Sequence, residues 1–162
     1  MDDKYYLKIA IDLARESAEK GGDPFGAILV CGDKVVAKST DKSVEKSDPT
    51  YHAERSLISE YCQANKILSL EGHTLYSSTE PCIMCSGAIK SANISRVVFS
   101  VSQELLQQYS GGRKKPGCES LINSGKRKIE VVGPLLSDEG VKVFQEFPLI
   151  PKAERHRRLF QK

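Results

Sequence analysis

The sequence predicts an α/β protein, a three-layer α/β/α sandwich built on one central mixed sheet of about five strands. Three observations carry that expectation. Segments of helical and strand-like periodicity alternate along the chain. A short hairpin near the start supplies an antiparallel pair. Helical crossovers between later strands favour parallel pairing of those strands. The 162 residues have the size of one ordinary domain and read as a single unit over 1–162, with a basic tail over 152–162.

The elements follow in order. Asp3 to Lys20 is an amphipathic helix with Tyr6, Ile9, Ala10, Leu13 and Ala14 on one face, ended by Gly21-Gly22. Phe25 to Cys31 is a strand, Gly32-Asp33 a tight turn, and Lys34 to Lys38 the returning strand. Asp48-Pro49-Thr50 offers an Asp cap and a proline at the first helical position, opening a helix through about Ala64. His73 to Ser78 is a short strand, and Thr79-Glu80-Pro81 repeats the start signal for a helix from Cys82 to about Ser91. A strand from Arg96 to Val101 and a helical stretch near Glu104 to Tyr109 come next. The basic loop Ser110 to Gly117 has glycines at both ends, which suits a lid and is equally common in loops without a function. A short helix from Cys118 to Asn123, a strand from Lys128 to Val132 and a helix from Ser137 to about Phe147 complete the pattern.

Composition narrows the setting. Hydrophobic and charged fractions are those of a soluble globular protein, and no apolar run approaches the length of a membrane span. Met1-Asp2-Asp3-Lys4 lacks the apolar stretch of a secretion signal. The five cysteines form an odd, scattered set unlike a disulfide framework, so a reducing cytoplasmic location is expected. A net charge of +3 is too small to argue for nucleic acid by itself.

The chemistry concentrates in two short segments, His52-Ala53-Glu54 and Pro81-Cys82-Ile83-Met84-Cys85. Taken singly, His52 reads as an ordinary histidine, and Cys82 with Cys85 as two small buried hydrophobes or a redox pair. Together they offer more. A catalytic zinc keeps three protein ligands and leaves its fourth tetrahedral position to water. His52, Cys82 and Cys85 supply three ligands, and Glu54 is left over as a proton carrier. Cys82 and Cys85, three apart on one helix, project from the same face. Both segments fall at helix N-termini, where the positive end of the dipole favours thiolates.

At these residues the chain resembles the cytidine deaminase superfamily, in particular its purine branch of guanine deaminases and tRNA adenosine deaminases. Their zinc signature is H-x-E…P-C-x-x-C. The resemblance runs from Pro24-Phe25-Gly26-Ala27, through Asp48 to Glu54 and Glu80 to Cys85, to Arg96-Val97-Val98-Phe99, covering about the first hundred residues. It implies a cytidine deaminase-like fold and one zinc ion on His52, Cys82 and Cys85. It also implies Glu54 as general acid/base, the Ala53 backbone N–H as a substrate contact and Phe25 as a lining residue of the base pocket. A homodimer is implied by resemblance alone, with Phe144, Phe147 or the basic tail as candidates to cover a pocket.

The departures bear on substrate. The family commonly has an Asn where this chain has Asp41. An amide donates and accepts hydrogen bonds, whereas an ionised carboxylate only accepts. A substrate edge presenting donors to Asp41 is therefore expected, against the plainer reading of a solvated loop carboxylate. The tRNA-acting relatives usually carry a Phe-Phe-Arg-x-Arg-Arg type segment after the last helix. This chain has Phe144-Gln145-Glu146-Phe147-Pro148-Leu149 in that place. The favoured expectation is a zinc-dependent hydrolytic deaminase of a free nucleobase or nucleoside, a guanine-like or other purine-type heterocycle. Alternatives are tRNA adenosine deamination, with the tail from Lys152 to Lys162 on RNA phosphates, and cytosine or cytidine-type deamination. A structural zinc module is a further class, and His73 is its nearest candidate for a fourth ligand.

Overall fold

The computed structural model describes residues 2–112, 114–151, 154 and 157. Helix α1 (Asp3–Glu19) is capped by the Asp2 carboxylate, which accepts the backbone N–H groups of Lys4 at 3.1 Å and Tyr5 at 3.2 Å. Strands β1 (Gly26–Cys31) and β2 (Lys34–Thr40) form the expected hairpin. Then follow α2 (Ala53–Asn65), β3 (His73–Thr79), α3 (Ile83–Ser91), β4 (Arg96–Val101), α4 (Gln103–Ser110), α5 (Cys118–Ile122), β5 (Glu130–Val132) and α6 (Ser137–Glu146).

The strands form one mixed sheet in the order β2-β1-β3-β4-β5. β1 runs antiparallel to β2 and β3, while β3, β4 and β5 are parallel. Each parallel neighbour is reached through helix, α3 before β4, and α4 with α5 before β5. Successive side chains of a strand point to opposite faces, and this alternation sorts the core. Ala27, Leu29, Leu75, Val97 and Phe99 pack with Leu57 of α2, Ile89 of α3 and Ile122 of α5. Ile28, Val30, Tyr76 and Val98 pack with Leu7, Ala10 and Ile11 of α1 and Val143 of α6. Helices thus cover both faces, giving the three layers expected. No helix among the described residues is long and apolar enough to cross a membrane.

Two of the differences from the sequence-based expectation have a local cause in this part of the fold. The buried stripe of α1 is Tyr6, Leu7, Ala10, Ile11 and Ala14, with Ile9 and Leu13 only partly buried at its edge. The cause is Gly26: a Cβ there would lie 2.5 Å from the Ala10 carbonyl oxygen and 2.7 Å from the Ala14 nitrogen. The helix therefore rests on the backbone of β1, and its inner face is centred on Ala10 and Ala14. β5 starts at Glu130 instead of Lys128. Asn123 explains this, because its side chain accepts the Ile129 N–H at 2.7 Å and donates to the Ile129 carbonyl at 3.0 Å. That stretch bonds a loop amide and not a neighbouring strand.

A third cluster sits at the carboxyl ends of the parallel strands. Val101, Leu106 and Phe144 pack there with Phe25, Leu105 and Tyr109. In sheets of this kind the crevice beyond those strand ends is where ligands bind, and both motif segments converge on it. Of the tail over 152–162, only Glu154 and Arg157 are among the described residues; its expected contact with RNA lies outside them.

Candidate active site

His52 and Cys82 occupy equivalent places, each at the N-cap of its helix in extended conformation. Both helices therefore start later than the sequence suggests, α2 at Ala53 and α3 at Ile83. The Asp48 carboxylate bonds its own turn instead, accepting the Thr50 N–H at 2.8 Å and the Thr50 hydroxyl at 2.6 Å. This Asx-type turn delivers His52 to the helix end. Neither His52 nor Cys82 makes a side-chain cap hydrogen bond. Their side chains turn toward each other: His52 Nδ1 lies 3.6 Å from Cys82 Sγ and 3.8 Å from Cys85 Sγ.

These separations test the fit to a metal. Zn–S bonds of about 2.3 Å and Zn–N bonds of about 2.0 Å at a tetrahedral angle place nitrogen and sulfur about 3.5 Å apart. The three donor atoms lie within 4.8 Å of one another, and among the described residues no other group of three or more His, Cys, Asp or Glu side chains could hold a metal. The donor set fits zinc. His73 lies apart from it, with Nδ1 3.2 Å from the Glu71 carbonyl oxygen and its ring edge-on to Tyr61. It is not a fourth ligand.

The electrostatics are uneven. Hydrogen bonds that the Cys82 sulfur accepts from Cys85 and from the His52 ring bring its thiol down to about 3 against the opposing effect of burial. The same bond to Cys82, together with burial, pushes Cys85 well up. The partnership with Cys82 raises the His52 pKa against the opposing effect of burial. Glu54 is 5% exposed, and this burial raises its pKa. Its Oε1 accepts the Ser77 hydroxyl at 2.9 Å, and its Oε2 accepts the Cys85 thiol at 3.4 Å. One strand residue thus fixes the carboxylate while its second oxygen faces the ligands.

These residues open on a cavity of about 80 Å³ lined by Phe25, Asp41, His52, Glu54, Glu80 and Lys115, among others. Asp41 is 7% exposed, so it is not the solvated loop carboxylate of the plainer reading. Phe25 contributes one wall and is backed by Phe144 at a ring separation of 5.8 Å. Phe144 therefore supports a wall, while Phe147 packs with the α1 cluster and does not cover the cavity. Ala53 is the first residue of α2, and helix geometry leaves its N–H without an intrahelical partner.

Sequence reasoning missed five lining residues, Thr79, Glu80, Gln103, Leu106 and Lys115. Glu80 accepts the Gln103 N–H at 2.8 Å on Oε2 and the Cys118 N–H at 2.6 Å on Oε1. Gln103 Nε2 in turn donates to the Glu80 carbonyl at 2.6 Å. One buried side chain ties the starts of α4 and α5 to the end of β3. The only signal was the position of Glu80 directly before Pro81-Cys82.

Three donors at two helix ends, with a buried carboxylate beside them where a structural site would hold a fourth ligand, define a class: zinc-dependent hydrolytic deaminases. Residues 1–101 match the family described as cytidine and deoxycytidylate deaminase zinc-binding region, and the chain belongs to that family. It is similar to a tRNA-specific adenosine deaminase of Buchnera aphidicola subsp. Baizongia pistaciae, 37% identical over 145 residues, covering 90% of this chain and 87% of that protein. It is also similar to a probable cytosine deaminase of Schizosaccharomyces pombe, 35% identical over 144 residues, covering 86% of this chain and 88% of that protein. A solved guanine deaminase from Bacillus subtilis superposes with a TM-score of 0.64 at 27% identity, over 93% of this chain and 98% of that one. Zinc dependence and hydrolytic deamination follow from the family, as expected from the motifs.

Proposed function

We propose that the protein replaces an exocyclic amine by oxygen on a free nucleobase or nucleoside, a guanine-like or other purine-type heterocycle. The observation that carries this reading is the Glu54 carboxylate, buried in the same small cavity as His52 and Cys82 and beside an aromatic wall. Zinc held by His52, Cys82 and Cys85 supplies a water of lowered pKa when bound.

The chain's own residues do the rest. Glu54 carries two protons of the attacking water in turn, the first to the ring nitrogen and the second to the amine that leaves as ammonia. Its raised pKa suits a group that must hold a proton between two transfers. Ser77 holds Oε1, and Oε2 faces the Cys85 sulfur, which donates nothing once it is a ligand thiolate, so Oε2 is the oxygen that carries the proton. The Ala53 N–H donates to an acceptor atom of the substrate, the Phe25 ring packs on its face, and Asp41 reads its edge. A homodimer belongs to the same reading, as does a reducing cytoplasm, for which the support is five cysteines in no disulfide.

Two other substrate readings have specific support. The 37% identity to a tRNA-specific adenosine deaminase favours tRNA adenosine. The 35% identity to a probable cytosine deaminase favours a pyrimidine. Metal analysis followed by ammonia release over a panel of bases, nucleosides and tRNA separates them. Turnover of a purine base or nucleoside supports the proposal. Turnover restricted to tRNA, with binding that weakens steeply with salt, would overturn it, as would turnover of pyrimidines alone.

A further inference from the structure

Three carboxylates line the cavity, and the hydrogen bonds already made to them differ. Both oxygens of Glu54 are engaged, by Ser77 and Cys85. Both oxygens of Glu80 are engaged, by the N–H groups of Gln103 and Cys118. Asp41 receives its two bonds on a single oxygen: Oδ1 accepts the Ser43 N–H at 2.9 Å and the Ser43 hydroxyl at 2.5 Å. Among the described residues no donor meets Asp41 Oδ2, although the residue is 7% exposed and lines the cavity. A shielded carboxylate oxygen without a donor is costly to leave unmatched, and it accepts only.

Lys115, an exposed residue of the loop after α4, also lines the cavity and has no hydrogen-bond or ion-pair partner among the described residues. An ammonium only donates. The wall therefore offers one unused acceptor and one unused donor, beside the amine-displacing groups.

Resting on the proposed deamination of a small heterocycle, we propose that Asp41 and Lys115 are a specificity-determining pair selecting an amino-oxo heterocycle with a lactam N–H and carbonyl. The N–H donates to Asp41 Oδ2, and Lys115 Nζ donates to the carbonyl oxygen. Bases whose edges only accept leave Asp41 unmatched and are discriminated against. Lys115 joins the site from the loop between α4 and α5; the Glu80 carboxylate fastens the far end of that loop at Cys118 and, separately, the start of α4 at Gln103.

The test uses the zinc-loaded protein and a matched ligand series: an amino-oxo base, its N-methylated lactam analogue, and an amino base without the carbonyl. Both kcat/KM and Kd are measured. In the wild type, methylating the lactam nitrogen costs about 10- to 100-fold in Kd, the range for a hydrogen bond to a charged group. Asp41→Asn keeps an oxygen for Ser43 and turns the other group into a donor. The methylation penalty should then fall below about 3-fold, and preference should shift toward the acceptor-edged base. Lys115→Met should raise KM about 10-fold for the oxo base with kcat little changed, leave the base without a carbonyl unaffected, and be rescued by Lys115→Arg.

An equal penalty in wild type and Asp41→Asn overturns the role of Asp41, and unchanged KM in Lys115→Met overturns that of Lys115. Should Asp41→Asn fail to fold, the wild type alone decides, because a methylated analogue that binds as tightly as its parent refutes the acceptor. Failure of the underlying reading looks different: the zinc-loaded wild type then releases ammonia from no base, and both proposals fall together.

Discussion

Glu80→Gln asks whether one buried carboxylate holds the roof of the cavity. Glu80 is 8% exposed and receives two backbone N–H groups, one on each oxygen, from Gln103 and Cys118. A glutamine is nearly isosteric but presents one oxygen and one amide nitrogen to those two donors. Whichever oxygen survives, the other N–H faces a donor and loses a charge-assisted partner. A bond of this type is worth about 1.5–3 kcal/mol, and a buried orphaned N–H costs a similar amount, so the loss should be about 2–3 kcal/mol. For a domain of this size that is about 4–12 °C in Tm. Urea and thermal unfolding should be run at one fixed free zinc concentration, because bound metal stabilises the folded state by mass action. Activity should report the same change as a raised KM, since the Lys115 loop leads into the fastened start of α5 at Cys118. Stability within about 0.5 kcal/mol of wild type and an unchanged KM would refute the bracing role.

Glu54→Gln should retain zinc at wild-type stoichiometry by metal analysis and lose at least about 100-fold in kcat, the usual contribution of a general acid/base. Turnover near the wild-type rate would remove Glu54 from the mechanism. Gly26→Ala should cost about 3 kcal/mol or more by urea denaturation, because the added Cβ falls 2.5 Å from a backbone oxygen of α1; a neutral effect would mean the helix slides freely on β1. Asp3 accepts two hydrogen bonds from Arg96, at 2.6 and 2.8 Å, and Arg96 is the main reason its pKa is lowered. Asp3→Asn should cost about 1–2 kcal/mol at neutral pH, discounted for partial exposure. A depressed folded pKa contributes stability above the ordinary carboxylate value of about 3.9 and loses it as pH falls through the lower folded value. The gap between wild type and Asp3→Asn should thus be constant from about pH 5 upward and close in acid, and a gap that widens in acid would contradict it. Cys82→Ser should match or exceed the stability of the metal-free wild type by up to about 1 kcal/mol, since serine is a strong N-cap. With zinc present the order should reverse.

The fold was legible where periodicity and punctuation agree. Alternating side chains on β1 and β4 sort to two cores, and the Gly32-Asp33 turn closes the hairpin. The ligands were legible for another reason: metal binding restricts residue type, and Cys82 with Cys85 at helical spacing after a proline is an uncommon combination. Helix starts were less so. A carboxylate ahead of a proline bonds an N–H two or three residues on both in an Asx turn and at a helix cap, and Asp48 does the former. Gln103 and Lys115 were not legible at all. They belong to ordinary residue types and reach the cavity through tertiary approach of α4 and its following loop to the end of β3. Asp41 stands between these cases, since only its burial turned a loop carboxylate into part of the wall.

The two helices that meet at the site start on residues that do not cap them, whereas α1 has Asp2 and α4 has Ser102, whose hydroxyl accepts the Leu105 N–H at 3.1 Å. A good N-cap contributes about 1 kcal/mol, so α2 and α3 forgo that stabilisation at His52 and Cys82. What the fold gains is position. An N-cap side chain sits at the positive end of its helix dipole, where a thiolate is favoured. Placing one ligand at each of two such ends lets a rigid pair of helices set the donor separations. Metal binding then contributes free energy to the folded state only, offsetting the missing caps. Local stability and metal affinity therefore pull the same two positions toward different residues. α5 and α6 also start without a side-chain cap, on Gly117 and Leu136, so what marks the site is the pair of metal-binding side chains at two facing helix starts and not the missing caps alone.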